Sequence, residues 1–236
     1  MDGEMEKKQG DYFLPISVLI AGVIIAGAVV YSAGLSGNDN ETAALSPGEG
    51  VLPVGTAPEI GDDVILGDPD APVTLVEFGD YQCPFCGRFF SQTEPLLRKD
   101  YIETGKIKMV YKDLAFLGPE SVAAAEAAEC ARDHGKYWIY HDALFEEEIR
   151  DGREHNGNLN KALFMDIASS LELDLSAFET CVDSRKYKVE VEGDIQEARA
   201  IGANSTPTVY VNDVMILGAQ PYSVFKDAID KALEAR

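Results

Sequence analysis

The chain has 236 residues, 46% of them apolar, which is enough for one globular domain of ordinary size plus appendages. With 20 Lys and Arg against 41 Asp and Glu the net charge is −21, so phosphate backbones would be repelled and nucleic acid is not an expected partner. The four cysteines, Cys83, Cys86, Cys130 and Cys181, suggest bridges outside the cytosol but metal binding or catalysis inside it, so the compartment has to be read first.

Residues 1–11 carry Lys7 and Lys8 and read as a cytoplasmic tail. Residues 12–35, Tyr12 to Leu35, contain no charge and as a helix rise about 36 Å, enough to cross a bilayer core with some tilt. Tyr12, Phe13 and Tyr31 fall near its ends, where aromatic rings favour the interface. No Lys or Arg follows until Arg88, so the positive-inside bias predicts a single-pass anchor with everything after Leu35 extracytoplasmic. The competing reading is a cleaved signal peptide, to which the small residues Ala28 to Ala33 lend some support, although the apolar run is long for one. Either way the remaining domain is expected outside the cytoplasm. Residues 36–60 are rich in Gly, Pro, Ser and Ala without apolar period and predict a flexible linker. Asn40-Glu41-Thr42 is a formal glycosylation acceptor of little weight by itself.

In residues 61–236 the pattern is α/β. Val73 to Phe78 reads as a buried strand. A helix is predicted from Pro84 to about Tyr101, with Pro84 at its first position and a kink at Pro95. Lys106 to Tyr111 alternates as a second strand, and Pro119 to about Ile201 shows helical spacing throughout, its last helix ending at Gly202. Pro207 to Val211 and Val214 to Leu217 form a hairpin through Asn212-Asp213, and a final helix runs from Pro221 to about Glu234. Trp138, Tyr137 and Tyr140 are expected in the core of the helical block. His134, His141 and His155 show no ligand spacing and are expected on the surface or in packing.

The chemistry concentrates at Cys83-Pro84-Phe85-Cys86. A helix start presents free N–H groups and a partial positive charge, both of which favour thiolate over thiol at Cys83. Cys86, one turn further in, is in reach to resolve a mixed disulfide at Cys83. Zinc would require two further ligands at matching spacing, and an inert bridge is the other alternative. Glu77 stands in an otherwise apolar strand, where a buried carboxylate would keep its proton and exchange it with Cys86; the alternative is a carboxylate reaching solvent at the strand end. Cys130 and Cys181 lie on apolar helix faces, either as small core residues or, in an oxidising compartment, as the favoured disulfide.

Glu77, the Cys83–Cys86 pair, the helical block with Cys130 and Cys181, and Ser205-Thr206-Pro207-Thr208 together make the chain, from about Gly61 onward, resemble the DsbA-like thiol:disulfide oxidoreductases of the thioredoxin superfamily. The resemblance implies a thioredoxin fold with an inserted helical subdomain, about 117–185, and a cis-proline loop facing the redox pair. Pro207 matches that proline, Thr206 the residue before it, and Glu77 the family's buried acid. The best-known periplasmic oxidases carry His where this chain has Phe85, which donates no hydrogen bond to the thiolate and implies a milder oxidant.

The expected function is oxidation of dithiols in exported, unfolded or reduced proteins through Cys83 and Cys86. A membrane quinone-linked reoxidase restores the bridge, as the resemblance suggests, with no metal or organic cofactor implied. The rival within enzymes is a reductase or isomerase kept reduced by a membrane electron donor. Outside enzymes it is a peptide-binding holdase in which the cysteines are incidental.

Overall fold

The computed structural model describes residues 50–53 and 56–235. The predicted cytoplasmic tail, the anchor at 12–35 and most of the predicted linker lie outside the described residues. Among the described residues no helix is long and apolar enough to cross a membrane.

The scaffold is a five-stranded sheet of order β1-β5-β4-β2-β3. Its strands are β1 (Val51–Pro53), β2 (Val73–Gly79), β3 (Ile107–Asp113), β4 (Thr208–Val211) and β5 (Val214–Leu217). β2 runs parallel to β3, with Glu77 opposite Tyr111, and antiparallel to β4, with Glu77 opposite Val209. Both faces of β2 are covered, which is why its sequence is an almost unbroken apolar run. Val73 and Leu75 point into the larger core, whereas Val76 and Phe78 point into a smaller one with Val110, Tyr210 and Met215. Glu77 alternates onto the larger-core face.

That face is covered by α1 (Pro84–Gln92), α2 (Glu94–Leu97) and α8 (Tyr222–Glu234), whose Phe89, Leu97, Phe225 and Ile229 are buried there. The long helix expected from Pro84 to Tyr101 is broken at Thr93, and its last part, Arg98–Ile102, is a turn of π-helix. The break falls two residues before Pro95, because a proline ring crowds the preceding turn as well as lacking its own N–H. The Thr93 hydroxyl turns instead to the Gln220 carbonyl at 3.3 Å.

Between β3 and β4 run α3 (Pro119–Arg132), α4 (Tyr137–Asp151), α5 (Lys161–Ser170), α6 (Leu175–Ser184) and α7 (Lys188–Ala200). Asn160 and Asp174 cap α5 and α6 by accepting from backbone N–H groups of the first turns. Tyr137, Trp138 and Tyr140 are buried in the helical block, as their spacing predicts. Cys130 of α3 and Cys181 of α6 are joined as a disulfide. α7 returns to the sheet and covers its second face through Ala198 and Ile195. Lys112 of β3 fastens it there, 3.0 Å from Asp194 and 2.9 Å from Glu197.

β1 lies inside the segment 36–60 read from sequence as a flexible linker. Three residues, too few to show a period, pair antiparallel with β5, Val51 opposite Ile216. Only the open edge of β5 makes a strand of them.

Candidate active site

At the C-terminal end of β2 the chain turns through Asp80, Tyr81 and Gln82 into α1. Asp80 builds this turn: its carbonyl accepts from Cys83 N–H at 2.9 Å and its Oδ1 from Gln82 N–H at 2.9 Å. Its Oδ2 accepts from the N–H groups of Phe116 and Leu117, both at 3.0 Å, which ties in the loop after β3. The buried Gln82 amide spans two further elements. Its Nε2 donates to Ser121 Oγ of α3 at 2.8 Å, and its Oε1 accepts from His155 N–H at 2.8 Å.

Cys83 occupies the cap position of α1 with extended backbone angles and Pro84 follows at the first helical position. The helix therefore begins at the reactive sulfur, and its first N–H groups are left for that sulfur. Gly87 lets α1 and α4 approach closely: a Cβ there would stand 3.0 Å from Ile149 Cγ1, so that side chain would have to shift.

The two thiols are driven apart in acidity. A hydrogen bond from Cys86, the Thr206 side chain, and the N–H groups of Cys86 and Phe85 stabilise the Cys83 thiolate against burial and lower its pKa to about 6. Cys86 is fully buried. Desolvation, its bond to Cys83, and the charges of Cys83 and Glu77 push its pKa well up. The result is one thiolate and one thiol that donates to it, the division of labour that nucleophilic exchange needs.

Two predicted partners close the site. Thr206–Pro207 is a cis peptide bond, and the Thr206 carbonyl oxygen lies 3.5 Å from Cys83 Sγ. Glu77 is 1% exposed, its Oε1 has no hydrogen-bond partner, and burial, then Glu94, then Cys83 raise its pKa well above the usual carboxylate range. The alternative of a solvent-reaching carboxylate is thereby removed. Phe85 turns outward, 53% exposed, with the Arg88 guanidinium 4.9 Å above its ring. Beside Cys83 a cavity of about 260 Å³ runs between α1 and the end of α4, lined by Pro84, Gly87, Ile149 and Glu154.

The sequence pattern singles out the cysteines and Glu77, the resemblance adds Thr206 and Pro207, and the structure brings all of them to one end of β2. It does not single out Asp80, Gln82 or Glu94, polar side chains that look solvent-facing in a one-dimensional pattern and are 1% exposed. Among the described residues no group of three or more His, Cys, Asp or Glu is arranged to hold a metal ion.

The family described as Thioredoxin matches residues 59–231. Disulfide bond formation protein D of Bacillus subtilis (strain 168) is 34% identical over 182 residues, spanning 76% of this chain and 81% of that protein. Probable disulfide bond formation protein D of Bacillus anthracis is 30% identical over 228 residues, 94% of this chain and 95% of that protein. Among solved structures, oxidised BdbD from Bacillus subtilis superposes with a TM-score of 0.72 at 34% identity, covering 77% of this chain and 98% of that one.

Proposed function

We propose a direction of action and a location for this chain, which belongs to the DsbA-like thiol:disulfide oxidoreductases of the thioredoxin superfamily. It is a dithiol oxidase that introduces disulfides into exported proteins, and its domain works outside the cytoplasm on a membrane tether. The observation that carries the direction is the Cys83 thiolate, favoured down to a pKa of about 6. A stabilised thiolate favours the reduced form, so the oxidised enzyme gives up its bridge readily.

A substrate thiolate attacks Cys83 Sγ of the Cys83–Cys86 disulfide, forming a mixed disulfide and expelling Cys86. Cys86 takes the proton held on Glu77. The substrate's second thiolate then attacks its own sulfur in the mixed disulfide, and Cys83 leaves as the thiolate that the helix start stabilises. Thr206 and Pro207 form the wall against which the substrate backbone lies beside Cys83. A quinone-linked membrane partner reoxidises the pair.

The tether rests on the uncharged run from Tyr12 to Leu35, on the charge bias around it, and on the Bacillus anthracis relative's alignment over 94% of this chain. A reductase or isomerase is the second reading, favoured by one feature: Phe85 adds no donor to the thiolate. Acid trapping and alkylation of the protein in its own cells separates them. Cys83 and Cys86 are expected oxidised at rest, and a resting dithiol overturns the oxidase direction. Protein recovered in soluble form and beginning near Gly34 overturns the tether.

A further inference from the structure

Gln82 stands next to the reactive cysteine, is buried, and spends both ends of its amide on partners other than the sulfurs. Nε2 donates to Ser121 Oγ of α3 at 2.8 Å, and Oε1 accepts at 2.8 Å from the N–H of His155, 73 residues on. The turn into α1 is already built without that amide. Asp80 accepts from the Gln82 main-chain N–H and, through its other oxygen, from Phe116 and Leu117. The Cys83 sulfur is served by Cys86, by Thr206 and by the first N–H groups of α1. The buried amide therefore ties the neighbour of Cys83 to something beyond the turn and the sulfur.

That something is the segment 152–157 after α4. Its backbone enters the left-handed region at Gly152, His155 and Gly157, with φ of 66°, 54° and 81°. Glycine adopts this conformation freely, whereas a histidine in it is strained and has to be held. The ends of the segment are fastened: Gly152 N–H donates to the Glu148 carbonyl at 2.8 Å, and Gly157 N–H to Glu120 Oε2 at 2.9 Å. Between them the His155 N–H meets Gln82. The His155 side chain is 54% exposed, so the main chain, not the imidazole, makes this link. Gly152, Arg153 and Glu154 line the cavity of about 260 Å³ beside Cys83, which Pro84 and Gly87 line from α1. Small-molecule sites usually enclose ~300–1,000 Å³, and a smaller cleft suits the side chains of a polypeptide lying along it.

We propose that Gln82 is a positioning residue for substrate selection: it latches the segment 152–157 as the wall of the cleft beside Cys83, against which the residues flanking a substrate cysteine are placed. This rests on Cys83 and Cys86 being the exchanging pair, and it leaves the exchange step as written above. The latch acts on how a polypeptide is presented to Cys83 Sγ, and a small dithiol that does not fill the cleft gains little from it.

The test compares two reductants of the oxidised full-length protein: a reduced dithiol peptide of extended sequence, which can lie along the cleft, and dithiothreitol, which cannot. Gln82→Ala is expected to raise the half-saturating peptide concentration roughly fivefold, the equivalent of one lost hydrogen bond, with a smaller effect on the limiting rate. Its loss on dithiothreitol should be several-fold smaller than its loss on the peptide. His155→Pro removes the same bond from the far side, at an exposed residue, and should give the same split between the two reductants. The double variant should match Gln82→Ala alone, since one latch is removed once. Equal losses on both reductants, or a double variant whose loss is the product of the single losses, overturn the latch. Should Gln82→Ala not fold, His155→Pro carries the comparison by itself, and equal losses again overturn it. Wild-type protein that reacts with neither reductant sinks the exchange reading itself, not only the latch.

Discussion

The two cysteine pairs are equally buried and chemically opposite. Cys83 and Cys86 are 6% and 0% exposed, and Cys181 and Cys130 are likewise 6% and 0%. Yet the first pair stands as two thiols and the second as a bridge. Accessibility does not set the difference. Cys83 caps a helix that starts at its own sulfur, faces the Thr206 carbonyl, and has a buried carboxyl, its pKa pushed well up, behind its partner. Cys130 and Cys181 lie in the last turns of α3 and α6, at the carbonyl ends where a thiolate is disfavoured, among Ala127, Ala131 and Phe178. Reactivity here is a property of helix ends and charged neighbours.

The comparison breaks most visibly at the sulfurs themselves. Cys83→Ser should take oxidation of a reduced test protein to background. Starting from the reduced enzyme, Cys86→Ser should accumulate mixed disulfides that non-reducing gels resolve. Equal trapping by Cys83→Ser and Cys86→Ser would show that the two sulfurs are not differentiated by position.

Removing the other pair should act on stability alone. With a sequence separation of 51, the Cys130–Cys181 bridge contributes about 4 kcal/mol in the chain-entropy account. Urea unfolding of Cys130→Ala/Cys181→Ala should show a loss of that order while glutathione still reacts with Cys83–Cys86 at the wild-type rate. A matching loss of exchange rate would mean that the helical block also tunes the reactive pair.

Acidity sharpens the contrast further. Thiolate absorbance of the reduced protein should titrate at Cys83 with a midpoint of about 6. The folded pKa lies below the roughly 8.5 of an unfolded thiol, so the stabilisation is complete above about pH 8.5 and is lost as pH falls through about 6. The reduced protein should therefore lose stability relative to the oxidised form across that window in paired denaturation curves. A free-thiol midpoint would remove the physical basis for the oxidase direction. The smallest effect is expected at Phe85→His. A donor at this exposed position should lower the Cys83 midpoint below that of the parent and speed oxidation of substrate dithiols, read in the same absorbance titration and oxidation assay.

Local patterns in the sequence carried the redox pair and Glu77: cysteines one turn apart with proline between them, and one acid in an apolar strand. The cis bond before Pro207 came only with the family resemblance, since an X-Pro bond by itself is seldom cis. The hairpin strand Val214–Leu217 and the terminal helix were equally legible, because period and turn chemistry are local. Glu94 had no such signal. Between Thr93 and Pro95, inside the helix predicted from Pro84 to about Tyr101, it reads as an ordinary acid, and the grip of Asp142 on Arg98, across 44 residues of chain, brings α4 over it. Gln82 is the same case, a polar residue buried because Ser121 and His155 arrive from two other elements. β1 exists because the edge of β5 is free to pair. Periodicity and motif spacing are set by the chain's near neighbours, and the sequence alone determined what depends on them. Burial of a polar group depends on partners distant in sequence, and only the tertiary structure decided it.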